Sequence, residues 1–319
     1  MKNILITGGC GFIASNFINF FLKKYQNFRI VNIDALYYCA NEENIIEEVR
    51  NSNNYHFIKG SITNSELVNL ILKTYEIDTI FHFAAQSHVD NSFSNPLQYT
   101  HDNILGTHTL LECIREHELT QKKIEKFIHV STDEVYGENE GDIKNEKSIL
   151  NPTNPYSATK AAAEMLVNSY VYSYGLPAII TRGNNVYGPR QYPEKLIPKF
   201  ILALKNNNKC TIHGKGKTER SFLYITDVIN AFELILFNGE IGEIYNIGTD
   251  KEYSVLDITS NLVKIIKDKD EIDNYIEFVE DRKYNDKRYY ISFDKLTKLG
   301  WKQEIFLEEG LKKTLEFYF

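Results

Sequence analysis

A strand, a glycine-rich turn and a helix follow one another without interruption at the start of this chain, and few folds accommodate that succession. Asn3-Ile4-Leu5-Ile6-Thr7 reads as a short buried strand, and Gly8-Gly9-Cys10-Gly11-Phe12-Ile13-Ala14 follows at once. Ile13, Phe17, Phe20 and Lys24 then recur at helical spacing. In that setting Gly8 permits a tight turn, Gly11 lets the backbone approach a pyrophosphate, and small Ala14 lets the helix pack close to a sheet. The free N–H groups at the helix N-terminus would meet the phosphates. A second strand, Arg29-Ile30-Val31-Asn32-Ile33, ends in Asp34, at about the ~20-residue distance expected of an acidic ribose ligand. A carboxylate there accepts hydrogen bonds from a ribose diol and repels a 2′-phosphate. NAD is therefore the expected cofactor.

Strand-like and amphipathic stretches go on alternating through residues 55–59, 79–84, 127–131 and 178–181. That rhythm predicts an α/β fold, a Rossmann-like doubly wound parallel sheet with helices on both faces and ligands past the carboxyl ends of the strands. Residues 81–88 and 132–134 both fall there. After Arg182 the rhythm breaks. Asn184-Asn185-Val186-Tyr187-Gly188-Pro189 is rich in turn residues, and short strands at 210–213, 221–225, 244–247 and 276–279 follow in irregular order. The last helix carries Leu307, Leu311 and Leu315 on one face. The expected division is residues 1–182 as an NAD-binding domain and 183–319 as a smaller C-terminal substrate-binding α/β domain. The helix at 226–237 is expected to pack back on the first.

Composition narrows the partners. The chain has 319 residues, 43% of them hydrophobic and 25% charged, enough for a sizeable core. Its net charge of −7 argues against a nucleic-acid or anionic-membrane surface, so an anionic ligand must be held by individually placed cations. Cys10, Cys39, Cys113 and Cys210 lie far apart, which points to reduced thiols in a cytoplasmic setting. The sequence enters its first strand without a signal peptide, and no apolar run is long enough to span a bilayer. His82 and His129 sit inside apolar runs and read as core residues with satisfied hydrogen bonds rather than as ligands, and no metal-ligand spacing is present.

Two further segments carry the chemistry. Lys126-Phe127-Ile128-His129-Val130 reads as a buried strand, and Ser131-Thr132-Asp133-Glu134 stands where it ends. Adjacent carboxyl groups beside hydroxyls at such a position suit acid/base work. Tyr156-Ser157-Ala158-Thr159-Lys160 opens an Ala-rich helical stretch, and residues four apart share a helix face. An ammonium beside a phenol would stabilise the phenolate and lower the pKa of Tyr156, making it a base near neutrality.

By these residues the chain resembles an extended short-chain dehydrogenase/reductase over essentially its whole length, and within that group a nucleotide-sugar 4,6-dehydratase. The glycine turn with Phe12-Ile13, Asn103-Ile104-Leu105-Gly106-Thr107 and Tyr156-xxx-Lys160 are features of the extended group. Thr132-Asp133-Glu134 marks the dehydratases, because related epimerases lack the acidic pair. Residues 181–189 and 220–224 look closest to the dehydratase domain of plant-type UDP-rhamnose synthases. Where the family often has Gly-Asp-Ile against the adenine, this chain has Gly60-Ser61-Ile62.

The resemblance implies a cofactor site that includes Ser61, Ile62, Ala84 and Ala85. It also implies a sugar-nucleotide site of Ser87, Asn185, Lys195, Leu196, Arg220, Arg282 and Asn285. The substrate would be UDP-glucose or dTDP-glucose and the product the 4-keto-6-deoxy sugar, in deoxysugar or rhamnose biosynthesis. Uracil and thymine differ by one methyl group, worth about 1–3 kcal/mol in a pocket, and both nucleotides stay open. Tyr156 with Lys160 would take the 4-hydroxyl proton, Glu134 the C5 proton, and protonated Asp133 would release the 6-hydroxyl as water. Thr132 would hold the 4-oxygen. The rival readings are an NAD-dependent C4 epimerase, which needs only Tyr156 and Lys160, and a non-catalytic NAD-binding scaffold. A homodimer is expected through the helices near 97–116 and 157–174, where Ile104, Thr107, Leu111, Ile114, Ala161, Met165 and Tyr172 exceed a single apolar stripe.

Overall fold

The computed structural model describes residues 2–120, 123–138, 141–280 and 288–319. Its strands run in chain order as β1 (Lys2–Thr7), β2 (Phe28–Asp34), β3 (Tyr55–Lys59), β4 (Thr79–His82), β5 (Lys126–Thr132) and β6 (Ala178–Gly183). They continue as β7 (Asn185–Tyr187), β8 (Cys210–His213), β9 (Glu219–Tyr224), β10 (Ile244–Ile247), β11 (Glu252–Ser254) and β12 (Ile276–Val279). Seven form one sheet in the order β10-β6-β5-β4-β1-β2-β3, with every neighbouring pair parallel. The chain passes from β1 outward to β2 and β3, then crosses back to β4 on the other side of β1. Strand order therefore reverses between β1 and β4, the place where such sheets open a crevice past their carboxyl ends.

Strand β1 shows why the sheet needs cover on both faces. Ile4 and Ile6 join one core cluster while Leu5 joins the other, as the two-residue alternation of a strand requires. The helices Phe12–Lys24 and Ile225–Asn238 cover the first face together, with Phe17 edge-on to Phe232 and Phe21 stacked near Phe237. Glu233 ties the pair further, accepting from Lys24 (2.9 Å) and from the Tyr25 hydroxyl (2.5 Å). The helices Ser65–Thr74, Gly106–Thr120 and Pro155–Tyr174 cover the second face. Two small sheets, β11-β9-β7 and β12-β8, stand apart from the large one.

Three expectations change. Residues 244–247 fall in the half of the chain assigned to substrate binding, yet they form the edge strand β10 beside β6, Ile244 facing Ile180. A four-residue apolar strand does not announce its sheet. The preceding helix lies on the large sheet and delivers the strand to its edge by a parallel crossover. In the two helices expected to form a contact between copies, Thr107, Leu111, Ile114 and Ala161 are buried within the chain itself. Leu111 and Ile114 belong to the core of that face, Thr107 bonds the His82 ring and Ala161 packs with Val135, Tyr136 and Ile291, while Met165 and Tyr172 remain 60% and 88% exposed. Finally, the two strand histidines differ. The His82 ring bonds Thr7 and Thr107 (2.8 and 2.9 Å), whereas neither ring nitrogen of His129 has a hydrogen-bond partner among the described residues. Burial, with Lys160 nearby, pulls the pKa of His82 down to about 3 and that of His129 well below its usual value.

Candidate active site

The turn after β1 is built around a residue without a side chain. Gly8 has φ +70°, and a Cβ there would lie 2.7 Å from the Cα of Ala84, so only glycine fits. Gly11 is different. A Cβ there would meet just the Gly8 carbonyl, at 3.2 Å, and Gly11 borders a cavity of about 520 Å³. Its missing side chain leaves room for a ligand, whereas at Gly8 the room is taken by protein. Asp34 ends β2 with Oδ2 accepting from the Cys10 N–H (2.9 Å) and Oδ1 from the Leu36 N–H (2.8 Å). Burial pushes the pKa of Asp34 up, and these two donors draw it back.

The same cavity, of a size that holds small-molecule ligands, brings together the residues expected to hold the cofactor. Phe12, Ile13 and Ala14 line it from the first helix, Ser61 and Ile62 from the segment after β3, and Ala84 and Ala85 from beyond β4. Ser61 points its hydroxyl at its own turn, sharing a 2.8 Å hydrogen bond with Thr63 and accepting from the Thr63 N–H (3.2 Å). These residues fit a dinucleotide: a glycine cradle, a helix N-terminus and a carboxylate at the end of β2 face one space.

Strand β5 ends in Thr132, whose hydroxyl accepts from the Glu134 N–H (3.3 Å) and so starts the turn Asp133–Tyr136. Thr132 and Glu134 line the cavity, and Glu134 accepts from the side chain of Asn154 (3.2 Å). Asp133 is set one layer back, 4% exposed and outside the residues that border the cavity. Its Oδ2 accepts from the Asn184 amide at 2.7 Å and its Oδ1 from the Thr132 hydroxyl at 3.2 Å. Burial, reinforced by the charge of Glu134, pushes its pKa up to about 7, against the pull of those two donors and of Arg220.

Asn154 also caps the helix Pro155–Tyr174. Its side chain accepts from the Ser157 N–H (2.9 Å), the Ser157 hydroxyl accepts in return from the Asn154 N–H (3.2 Å), and Pro155 takes the first position. That cap sets Tyr156 in the first turn and Lys160 one turn on, both buried and both lining the cavity. The expected lowering of the Tyr156 pKa by Lys160 is not found. The ammonium donates to the Val130 carbonyl at 2.8 Å. Burial, with the charge of Glu134, pushes the Tyr156 phenol up, opposed by a hydrogen bond with Thr132. Burial likewise pulls Lys160 down to about 8, opposed by Glu164. Loss of hydration dominates both shifts, and neither group figures among the causes of the other's.

Of the expected sugar-nucleotide residues, Ser87, Asn185, Lys195, Leu196 and Arg220 border the cavity. Lys195 bridges it, donating to the Ser87 carbonyl at 2.9 Å. The Arg220 guanidinium lies 4.9 Å from the Tyr289 ring centre. Arg282 and Asn285 lie outside the described residues. Three contributors were not anticipated. Asn154 and Asn184 hold the two carboxyl groups, and Tyr38, which does not itself border the cavity, donates to Glu194, which does (2.8 Å), while accepting from Asn91 (3.1 Å). The Asn-Pro pair before an Ala-rich stretch was a legible capping signal for Asn154. Asn184 and Tyr38 gave no such signal. Among the described residues no cluster could hold a metal ion, and no helix is long and apolar enough to cross a membrane.

The family model for GDP-mannose 4,6 dehydratase matches residues 5–314. A trifunctional UDP-glucose 4,6-dehydratase/UDP-4-keto-6-deoxy-D-glucose 3,5-epimerase/UDP-4-keto-L-rhamnose-reductase of Arabidopsis thaliana is 52% identical over 99% of this chain. The chain spans 47% of that protein's length. The dTDP-D-glucose 4,6-dehydratase of Homo sapiens is 48% identical over 99% of this chain and 90% of its own. The dTDP-glucose 4,6-dehydratase of Streptomyces venezuelae, crystallised with NAD bound, superposes with a TM-score of 0.93 at 34% identity, covering 99% of this chain and 97% of that one.

Proposed function

The chain belongs to the GDP-mannose 4,6-dehydratase family, and from that premise we propose that it is an NAD-dependent nucleotide-sugar 4,6-dehydratase acting on UDP-glucose or dTDP-glucose. The observation that carries the reading is one cavity in which Tyr156 stands beside a turn bearing Glu134 and, behind it, an Asp133 whose proton is held near neutrality. An epimerase has no use for the two carboxyl groups.

Held by Gly8, Gly11, Ile62 and Asp34, NAD would supply reversible hydride transfer to and from the sugar and so would be retained without net redox. The chain's own groups do the rest. Tyr156 takes the 4-hydroxyl proton, with Thr132 on the 4-oxygen. The resulting ketone acidifies C5–H, and Glu134 takes that proton. Asp133 gives its proton to the 6-hydroxyl, which leaves as water; Glu134 returns a proton to C5 as hydride reaches C6, and the proton taken by Tyr156 replaces, by way of solvent, the one Asp133 lost. One acid and one base at neighbouring carbons are what elimination requires, and adjacent carboxyl groups in unlike surroundings supply both. Asp133 reaches the sugar only if the turn Asp133–Tyr136 or the sugar's C6 arm closes the remaining layer.

Residues 1–182 would hold the cofactor and 183–319 the sugar nucleotide, with Arg220 and Lys195 as diphosphate partners and Arg282 and Asn285 in the same role. The protein would act as a homodimer, pairing the face that exposes Leu97, Leu105, Met165 and Tyr172. The Arabidopsis relatives join a 4,6-dehydratase to epimerase and reductase activities in one longer chain, which supports a place for this product in deoxysugar synthesis of the rhamnose type. The test is incubation with UDP-glucose and dTDP-glucose in parallel, following product mass. A 4-keto sugar lighter by one water is expected. A product of unchanged mass would make the protein an epimerase, and no turnover of either sugar would sink the reading.

A further inference from the structure

We infer that Asn184 is a positioning residue for the elimination step, fixing which oxygen of Asp133 carries the acidic proton. The inference rests on the dehydratase reading and deepens it.

The amide of Asn184 has its orientation chosen by the backbone. Its Oδ1 accepts from the Thr249 N–H at 3.1 Å and its Nδ2 donates to Asp133 Oδ2 at 2.7 Å. Turning the amide over would set an NH₂ against the Thr249 N–H, two donors facing each other, so the amide cannot flip to suit Asp133. Asn184 is 4% exposed, and its own N–H is engaged with the Ile247 carbonyl at 3.0 Å. It is therefore held at three points, one of them on the strand β10 that the large sheet receives late in the chain.

A consequence follows for Asp133. An oxygen that accepts a short hydrogen bond from an amide is a poor place for a proton, since its lone pair is already committed. The proton of neutral Asp133 accordingly resides on Oδ1, whose 3.2 Å partner, the Thr132 hydroxyl, can turn about its C–O bond and accept instead of donating, as the Asn184 NH₂ cannot. Thr132 lines the cavity and Asp133 does not, so this oxygen is the one on the reacting side. Without the amide, either oxygen could carry the proton, and half of the acid population would point it away from the substrate.

The same amide tunes the acid. A donor on the carboxyl favours its ionised form and lowers its pKa, alongside the Thr132 hydroxyl, while burial and Glu134 raise it. The other charged and titratable groups bearing on Asp133 are Glu134 on its own turn, Tyr156 from the helix Pro155–Tyr174, and Arg220 from β9. Losing the donor raises the pKa. Because the acid must be protonated to act, the alkaline limb of the kcat profile then moves to higher pH.

The test uses the whole enzyme with two variants, Asn184→Asp and Asn184→Ala. Asn184→Asp keeps the shape and the acceptor for Thr249 but exchanges the fixed amide donor for a carboxyl that can only share a proton with Asp133, so its fold should survive. For both variants kcat should fall, by up to about 10²-fold as for other misplaced groups, with KM for the nucleotide sugar changed less than about threefold. The alkaline limb should move up by about one unit or more, further for Asn184→Asp, where a second carboxylate faces the first. Both should still exchange solvent deuterium into C5 of the sugar, since Glu134 is untouched. A raised KM with an unmoved limb would make Asn184 a substrate-binding or structural residue and overturn the inference. Unchanged kcat in both variants would overturn it as well. If the parent protein itself releases no water from either sugar nucleotide, the dehydratase reading has failed instead, and the two failures are told apart.

Discussion

Arg182 and Glu164 form an ion pair sealed inside the protein, Nη2 lying 2.6 Å from Oε2 with the side chains 3% and 0% exposed. Glu164 belongs to the helix that carries Tyr156 and Lys160, and Arg182 to β6. A second nitrogen of the same guanidinium donates to the Tyr136 hydroxyl at 2.7 Å. One cation thus locks the Tyr156 helix to the turn that bears Asp133 and Glu134. Removing one partner of such a pair leaves a buried charge alone, at a cost of roughly 3–5 kcal/mol. Glu164→Gln should therefore lose that much stability in urea unfolding, and Arg182→Met/Glu164→Leu should lose clearly less than its two single variants combined. Additive losses would mean that the pair is not a coupled unit.

Asp133 should cost the protein stability in proportion to its usefulness. Its pKa in the folded chain is about 7, against an ordinary 3.8. A carboxyl raised in this way favours folding below its unfolded pKa, and that contribution is lost as pH rises through the folded value. The penalty grows from about pH 4 to pH 7 and should reach a few kcal/mol. Asp133→Asn cannot ionise, so it should match the parent in stability near pH 4 and exceed it at pH 8. Thermal unfolding at the two values checks this, and an equal gain at both would contradict the assigned shift.

Much of this site was legible because its signals are local. That Gly8, Gly11 and Asp34 would face one space was readable directly, since a strand, a tight turn and a helix fix their places within one unit. Thr132-Asp133-Glu134 was visible as polar residues at a strand end. What escaped depends on residues far apart in sequence. Asn184 meets Asp133 across 51 positions, and nothing near either one announces the pairing. The four-residue β10 carries no mark of the sheet it joins. Helical spacing set Lys160 on the face of Tyr156, yet could not foresee that the ammonium would turn to the Val130 carbonyl. Periodicity also failed to separate Leu111 and Ile114, covered by neighbouring helices, from exposed Met165 and Tyr172.

The purified protein should carry NAD(H) with none added. A cofactor restored in each cycle would gain nothing by leaving, and Gly8, Gly11 and Asp34 would engage both ends of its adenosine diphosphate. Denaturation followed by nucleotide analysis of the supernatant should find NAD(H) and little NADP. Finding mainly NADP would contradict the role given to Asp34, whose carboxylate would repel a 2′-phosphate.

Exposed Met165 and Tyr172, with Leu97 and Leu105 nearby in sequence to the covered helix Gly106–Thr120, should be covered by a second copy of the chain. An isologous contact repeats each residue across a two-fold axis, so Met165→Glu/Tyr172→Glu would set like charges near their mates. Light scattering at micromolar protein should give twice the chain mass for the parent and the single-chain mass for the double variant. A parent that scatters as a single chain would refute the dimer.

The two carboxyl groups should fail at different stages. Asp133→Asn leaves Tyr156 able to take the 4-hydroxyl proton and Glu134 able to remove the C5 proton. Water must then depart without its acid, a loss on the order of 10²–10⁴ in rate if this is ordinary general acid catalysis. Glu134→Gln stops the chemistry one step earlier, at removal of the C5 proton. In deuterated solvent Asp133→Asn should therefore wash deuterium into C5 of the sugar while forming little dehydrated product, and Glu134→Gln should form neither. Both replacements keep size and shape, Asn184 can still donate to an amide oxygen at position 133, and retained NAD would show that each variant is folded. The hydrogen bond from Asn154 to Glu134 (3.2 Å) can likewise pass to a glutamine oxygen, so loss of exchange in Glu134→Gln would report the missing base and not a displaced turn. Parent rates in both variants would reduce Thr132-Asp133-Glu134 to a polar strand end and leave Tyr156 and Lys160 to an epimerase.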